Sequence, residues 1–149
     1  MQIREAKTQD VSSLIDFQLK MALETENLQL EISTLSMGMN KLMKDPSKGK
    51  YYVAEEGGEV IGCLMITYEW SDWRCGTVLW IQSVYVAEPW RGKGVYKKMY
   101  QYIKSSVQED PDLKGIRLYV EKSNLRAKEV YANLGMNGEH YTVFEWMKE

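Results

Sequence analysis

The chain has 149 residues, 44% of them hydrophobic and 27% charged, the ordinary balance of one soluble globular domain spanning residues 1–149. Nineteen Lys and Arg against 21 Asp and Glu leave a formal net charge of −2, so no chain-wide positive field is available to hold a phosphate backbone, which argues against nucleic acid as a partner. Two cysteines, Cys63 and Cys75, and a single histidine, His140, are too few for a Cys/His zinc site, and no metal is expected.

At this length roughly two thirds of the unfolded chain's surface can be buried, so packing alone can hold the fold. The first seven residues carry an acid and lack the apolar core of a secretory leader, so a reduced, cytoplasmic protein is expected, although a disulfide between the two cysteines is open in principle. The longest apolar stretch, residues 60–66, contains Gly62 and falls far short of the roughly 20 residues of a membrane span. No membrane partner is expected.

Residues 2–7 alternate as a short strand that ends at Thr8, a candidate helix N-cap. Val11, Leu14, Ile15 and Ala22 then share one helical face, and Leu35, Met39, Leu42 and Met43 mark a second helix broken by residues 45–49. From Tyr51 the period becomes two. Residues 51–55 and 60–69 flank Gly57-Gly58, which predicts a hairpin with a primed turn. A second hairpin turns through residues 70–76 and returns along 77–87 to Pro89.

After Gly92 and Gly94 the apolar positions Val95, Met99, Tyr102, Ile103 and Val107 predict an amphipathic helix that stops at residues 110–112. Residues 116–120 read as a strand, and Ala127, Val130, Tyr131 and Leu134 form a helical stripe closed by Gly135. Residues 141–147 read as a last strand. With no repeat and no linker, the predicted class is mixed α/β in the order β-α-α-β-β-β-α-β-α-β.

The informative stretch is residues 84–96, a strand leading through Arg91-Gly92-Lys93-Gly94 into the N-terminus of a helix. That arrangement aims backbone N–H groups and the positive end of a helix dipole at one spot, which suits a phosphate or pyrophosphate, and Arg91 and Lys93 add charge. A plain tight turn is the structural alternative. The stretch is neither a Walker A loop nor a six-residue dinucleotide fingerprint.

Arg91-Gly92-Lys93-Gly94-Val95-Tyr96 resembles the coenzyme A loop of the GCN5-related N-acetyltransferase (GNAT) superfamily, Arg/Gln-x-x-Gly-x-Gly/Ala, with Tyr96 at the last position. Asn124, Ala127, Tyr131 and Gly135, followed by Met136, are similar to the family's second signature, Asn-x-x-Ala-x-x-x-Tyr-x-x-x-Gly-Phe. The resemblance covers essentially the whole chain, and over the first third it is one of topology.

It implies a central mixed sheet with splayed parallel strands flanked by helices, and acetyl-coenzyme A as co-substrate. Backbone groups near Val84 and Val86 would pair with the pantetheine arm, and the N–H groups of Arg91, Gly92, Lys93, Gly94, Val95 and Tyr96 would hold the pyrophosphate. Most of that site is main chain, and a Cβ at Gly94 would obstruct the approach. Asn124 would cap its helix and reach the pantetheine beside Ala127, and Tyr131 would give a proton to the departing thiolate.

The implied reaction is direct attack by a neutral amine, with a backbone N–H near Val84 meeting the oxyanion. Where some members carry a glutamate base this chain has Gln82, which can orient a water or the substrate but cannot take a proton at neutral pH, and Glu88 is the alternative base. Tyr96 either crowds the pyrophosphate or lies along the helix flank.

The acceptor would lie over the first two helices and the hairpin loop, where Glu24, Glu26, Glu31, Trp70, Trp73 and Trp80 suit a cationic amine by ion pairing and cation–π contact. These side chains read equally as a solvated helix end and as core or dimer contacts. The function expected is N-acetylation of a primary amine on a small molecule. The alternatives are a non-catalytic acyl-coenzyme A binding domain and a protein N-terminal or lysine acetylase. Dimers are common in this family, and residues 141–144 are a candidate pairing edge for a homodimer.

Overall fold

The computed structural model describes all 149 residues, which fall into two compact units, Met1–Arg117 and Leu118–Glu149. In the first, β1 (Gln2–Glu5) and a 3-10 turn at Thr8–Asp10 lead into α1 (Val11–Glu26) and α2 (Ile32–Lys44). Next come β2 (Lys50–Glu56), β3 (Glu59–Ser71), β4 (Gly76–Val86), a second 3-10 turn at Glu88–Trp90, α3 (Val95–Glu109) and β5 (Leu113–Arg117). The second unit holds α4 (Leu125–Asn133).

The five strands form one mixed sheet in the order β1-β2-β3-β4-β5, antiparallel throughout except for the parallel pair β4 and β5. The mixed α/β class and the order of helices and strands through α4 are as predicted. Both Gly57 and Gly58 have positive φ, 59° and 83°, as the primed hairpin turn requires.

Three local readings are corrected. Thr8 begins the 3-10 turn and is not the cap of α1; the residue ahead of α1 is Asp10, whose carboxylate accepts from the Lys7 amide at 2.6 Å and from Arg4. The strand expected at residues 116–120 lies three residues earlier, because Thr77 donates to the Asp112 carbonyl and Leu113 pairs with Thr77, so β4 sets the register from the turn onward. Residues 141–147 form no strand. Alternation supplies β propensity, but a strand exists only where a neighbour completes its ladder.

Alternation puts the two faces of the sheet to different uses. Leu14 and Phe17 of α1 and Met39 of α2 pack with Tyr51, Val53, Cys63 and Tyr85. On the other face, Tyr52 meets Tyr102 of α3 with ring centroids 5.7 Å apart. Leu64 is the cross-strand partner of Tyr52, so it shares that face. Val95, Met99, Tyr100 and Ile103 are the buried stripe of α3, each contributing roughly 1.5–3 kcal/mol by leaving water; Tyr102, expected in that stripe, is exposed although its ring touches Tyr52, and Val107 is half-buried. Gly62 lets the first turn of α3 lie close: a Cβ there would stand 3.1 Å from the Tyr85 carbonyl oxygen and 3.2 Å from a Val95 methyl.

Cys63 and Cys75 are both free thiols, the first fully buried and the second exposed. Burial pushes the Cys63 thiol up to about 12, so it stays protonated and unreactive at neutral pH. A maleimide reagent is therefore expected to label Cys75 alone in the native protein and both thiols after unfolding, read by intact mass. Native labelling of Cys63 at the rate of Cys75 would show that this part of the core opens readily.

No helix is long and apolar enough to cross a membrane.

Candidate functional site

Two features of β4 single out its C-terminal half. First, pairing with β5 ends at Trp80–Arg117, so from Ile81 to Val86 the strand has a ladder on its β3 side only, which is the splaying of the parallel pair. Second, Cys63 pairs with Tyr85 and Met65 with Gln82, so two steps along β3 match three along β4 and the strand carries one extra residue. Ser83 absorbs it in the left-handed region at φ 55°. The extra residue leaves backbone polar groups near Val84 outside the regular ladder.

Beyond Val86 the chain passes through Glu88–Trp90 into a turn with Gly92 at φ 73° and Gly94 at φ 76°, and Gly94 is the N-cap of α3. Glycine is needed at both places for the backbone angle. A Cβ at either would meet nothing within 4 Å, so the space in front of the turn is open. With no side chain capping the helix, its first-turn N–H groups are left for another acceptor at the positive end of the dipole, an arrangement that suits an anion.

Arg91 and Lys93 have other work. The Arg91 Nε donates to the Val86 carbonyl at 2.9 Å, its Nη2 pairs with Glu24 at 2.7 Å, and its guanidinium lies 5.2 Å from the Tyr85 ring centroid. The Tyr85 hydroxyl also donates to Glu24, at 3.1 Å. Arg91 thus ties the glycine turn to the end of β4 and to α1. Lys93 stands 5.1 Å over the Trp90 ring. Of the two orientations open to Tyr96, the ring takes the helix flank: its centroid is 6.4 Å from that of Tyr100, one turn on, and its hydroxyl is buried.

Gln82 sits on the α1/α2 face, where its amide donates to the Thr67 hydroxyl at 3.0 Å. Trp80 is on the same face. Its Nε1 donates to Glu69 at 2.9 Å, and Glu69 also takes Arg117 at 2.6 Å. Trp80 pairs with Thr67 and Trp70 with Thr77, so alternation places Trp70 on the opposite face of the hairpin from Trp80. The expected acceptor group is therefore not gathered in one place. Glu24 is engaged by Arg91 and Tyr85, Glu26 is the exposed last residue of α1, Trp73 projects from the hairpin tip, and Glu31 accepts the hydroxyls of Ser33 and Thr34 at 2.7 Å.

Glu24 and Glu88 do share a depression of about 930 Å³, together with Lys20, Glu55, Glu59 and Tyr85.

Within the second unit, Asn124 caps α4 by accepting from the Ala127 amide at 3.1 Å, a bond worth about 1 kcal/mol to the helix. Ala127, Tyr131 and Leu134 of the predicted stripe are half-buried, whereas Val130, expected with them, is exposed. Gly135 at φ 85° and the Met136 amide donating to the Tyr131 carbonyl close the helix. Burial raises the Tyr131 phenol above the ordinary tyrosine range, so it stays protonated at neutral pH.

The sequence reading missed Gln18 and the Ser83 bulge. Gln18 stands at i+4 from Leu14 and i−4 from Ala22, the polar member of an apolar helical stripe, and that anomaly was its signal. The bulge left no mark, since serine seldom takes a left-handed angle.

Comparison with known proteins agrees with this fold. Residues 16–136 match the model of the acetyltransferase (GNAT) family. A crystal structure described as a possible acetyltransferase of Clostridium difficile 630 is 41% identical, with a TM-score of 0.93 over 99% of this chain and 97% of that one. A transcriptional regulator of Bacillus halodurans C-125 is 20% identical (TM-score 0.83; 98% and 99% covered). An acetyltransferase predicted in Clostridium acetobutylicum, solved with acetyl-coenzyme A, is 19% identical (TM-score 0.73; 97% and 95% covered). The last two share the fold. No curated protein sequence matches the chain.

Proposed function

Because this chain belongs to the acetyltransferase (GNAT) family, we propose that it is an acetyl-coenzyme A-dependent N-acetyltransferase acting on a primary amine of a small molecule. The observation that carries the reading is the uncapped start of α3 at Gly94, following directly on a β4 edge that is open past Trp80. Together these supply an anion cradle and a strand edge in one continuous stretch of chain.

Bound acetyl-coenzyme A supplies the activated acetyl thioester. The amides of the glycine turn hold its pyrophosphate, and the free edge of β4 from Gln82 to Val86 pairs with its pantetheine arm. The Val84 N–H stabilises the oxyanion as a neutral amine attacks the acetyl carbon; the carbon–sulfur bond breaks, Tyr131 gives its proton to the departing thiolate, and the proton shed by the nitrogen passes to water, from which the Tyr131 phenolate is reprotonated. Gln82, with its amide group donated to Thr67, keeps a carbonyl oxygen able to orient the amine or a water. Gln82 cannot take a proton, so the amine attacks from its neutral fraction, with Glu88 as the alternative base. The acidic lining around Glu88 and Glu59 favours a cationic acceptor before it loses its proton.

A thermal-shift titration is the first test. Acetyl-coenzyme A at 100 times its dissociation constant should add roughly 2.7 kcal/mol of stability, a rise in Tm of roughly 5–11 °C for a chain of this size. Thiol release is then measured with tyramine and spermidine, and with neutral alcohols of matched size. No shift and no heat of binding by calorimetry would end the cofactor reading. Equal turnover of alcohols and amines would end the amine reading. Binding without turnover of any acceptor would favour a non-catalytic acyl-coenzyme A binding role, for which the replacement of an acid by Gln82 is the motivating residue.

A further inference from the structure

Gln18 is buried in the middle of the apolar face of α1, with 4% of its surface exposed. Its Nε2 donates to the Ser83 carbonyl at 3.3 Å and to the Cys63 sulfur at 3.6 Å, and the Cys63 thiol donates to the same carbonyl at 3.6 Å. The Tyr51 hydroxyl is engaged by the Ser83 side chain. Side chains from α1, β2 and β3 thus converge on the one residue of β4 held at a left-handed φ of 55°.

The Ser83 carbonyl and the Val84 N–H belong to one trans peptide, so they point in opposite directions. With the carbonyl drawn toward Gln18 and Cys63, the Val84 N–H points away from both of them, on a stretch of β4 that has no ladder to β5. A serine does not hold such an angle by preference, so the bulge depends on what grips it.

We propose, resting on the acetyl-coenzyme A reading above, that Gln18 is a positioning residue for acyl transfer: its grip on the Ser83 carbonyl aims the Val84 amide at the thioester oxygen. A buried amide donor is a costly way to fill a helix–sheet interface that a leucine would fill as well, and here both of its acceptors belong to the bulge or to the strand beside it.

The test compares wild type, Gln18→Leu, Ser83→Gly and the double variant by thiol release from acetyl-coenzyme A with tyramine. The assigned Val84 amide resonance is followed during acetyl-coenzyme A titration. Gln18→Leu is expected to lower kcat about 10- to 100-fold, with a smaller change in the acetyl-coenzyme A dissociation constant, and to reduce the shift of the Val84 resonance on binding. Glycine takes φ 55° without strain, so Ser83→Gly in the Gln18→Leu background should restore part of kcat. A purely packing role would leave the Val84 shift intact and show no rescue.

Wild-type kcat and a wild-type Val84 shift in Gln18→Leu would overturn the proposal. So would a loss of activity that simply follows the fraction of unfolded protein and is not rescued. Should Gln18→Leu fail to fold, Gln18→Glu, which keeps the volume but turns an acceptor toward the Ser83 carbonyl, takes its place with the same outcomes. Wild-type protein whose Val84 resonance ignores saturating acetyl-coenzyme A would instead remove the underlying functional reading.

Discussion

Tyr131→Phe is expected to lower kcat for acetyl transfer by about 100-fold or more while leaving the acetyl-coenzyme A dissociation constant nearly unchanged, because the change removes a proton donor and keeps the ring. The half-buried phenol is shifted upward by desolvation, so it is fully protonated across the neutral range. Its contribution should persist as pH rises through neutrality and fail only above the ordinary tyrosine range, where the phenol ionises. A rise in kcat through neutral pH is expected instead to report the amine losing its proton. Stopped-flow thiol release from wild type and Tyr131→Phe between pH 6 and pH 10 measures both limbs. Equal kcat in the two proteins would remove Tyr131 from the reaction and leave it a structural member of the α4 stripe.

The largest stability loss is expected at Asp10. Its carboxylate is almost wholly buried, takes two hydrogen bonds from Arg4 at 2.8 and 3.0 Å, and accepts the Lys7 amide, while Arg4 is also bonded to Glu55 at 2.8 Å. Asp10→Ala leaves the guanidinium mostly buried without its main partner, which costs on the order of 3 kcal/mol. For a chain of this length that is a fall in Tm of roughly 6–12 °C.

Arg4 holds the Asp10 carboxyl below the usual range, aided by the Lys7 amide and opposed by burial. The sign of the pH dependence follows from that direction. With the folded value depressed, the stabilisation is complete above the unfolded carboxyl's value, near 3.9, and is lost as pH falls through the folded value. Urea unfolding of wild type and Asp10→Ala at pH 7 and at pH 3 should therefore show the gap narrowing in acid. A gap at pH 7 of less than about 0.5 kcal/mol would place this pair among ordinary surface ion pairs.

The Glu24–Arg91 pair shows how a motif residue can serve its site indirectly. Arginine at the head of a glycine turn reads as charge for a phosphate, yet its guanidinium bonds the Val86 carbonyl and Glu24. The uncapped start of α3 adds the positive end of a helix dipole to the turn. Glu24, chosen from its acidity as a partner for a cationic acceptor, is by the same contacts part of the support of the turn.

What the sequence determined by itself was whatever depends on neighbours along the chain. The α1 and α2 stripes, the start of α3, the Gly57-Gly58 hairpin, the glycine turn ahead of Val95 and the Asn124 cap of α4 all follow from periodicity or from a backbone angle that one residue type permits, and each stands where it was expected, while within α3 Tyr100 is buried in place of the expected Tyr102. Tertiary structure decided what depends on a partner distant in the sequence. The register of β5 was set by β4, residues 141–147 need a strand neighbour to become one, and the separation of Trp70 from Trp80 follows from which residues face each other across the hairpin. The Ser83 bulge belongs to the same class: its left-handed angle goes against local preference and is held by Gln18, 65 positions away, and a force acting across that distance leaves no periodic trace in the chain it bends.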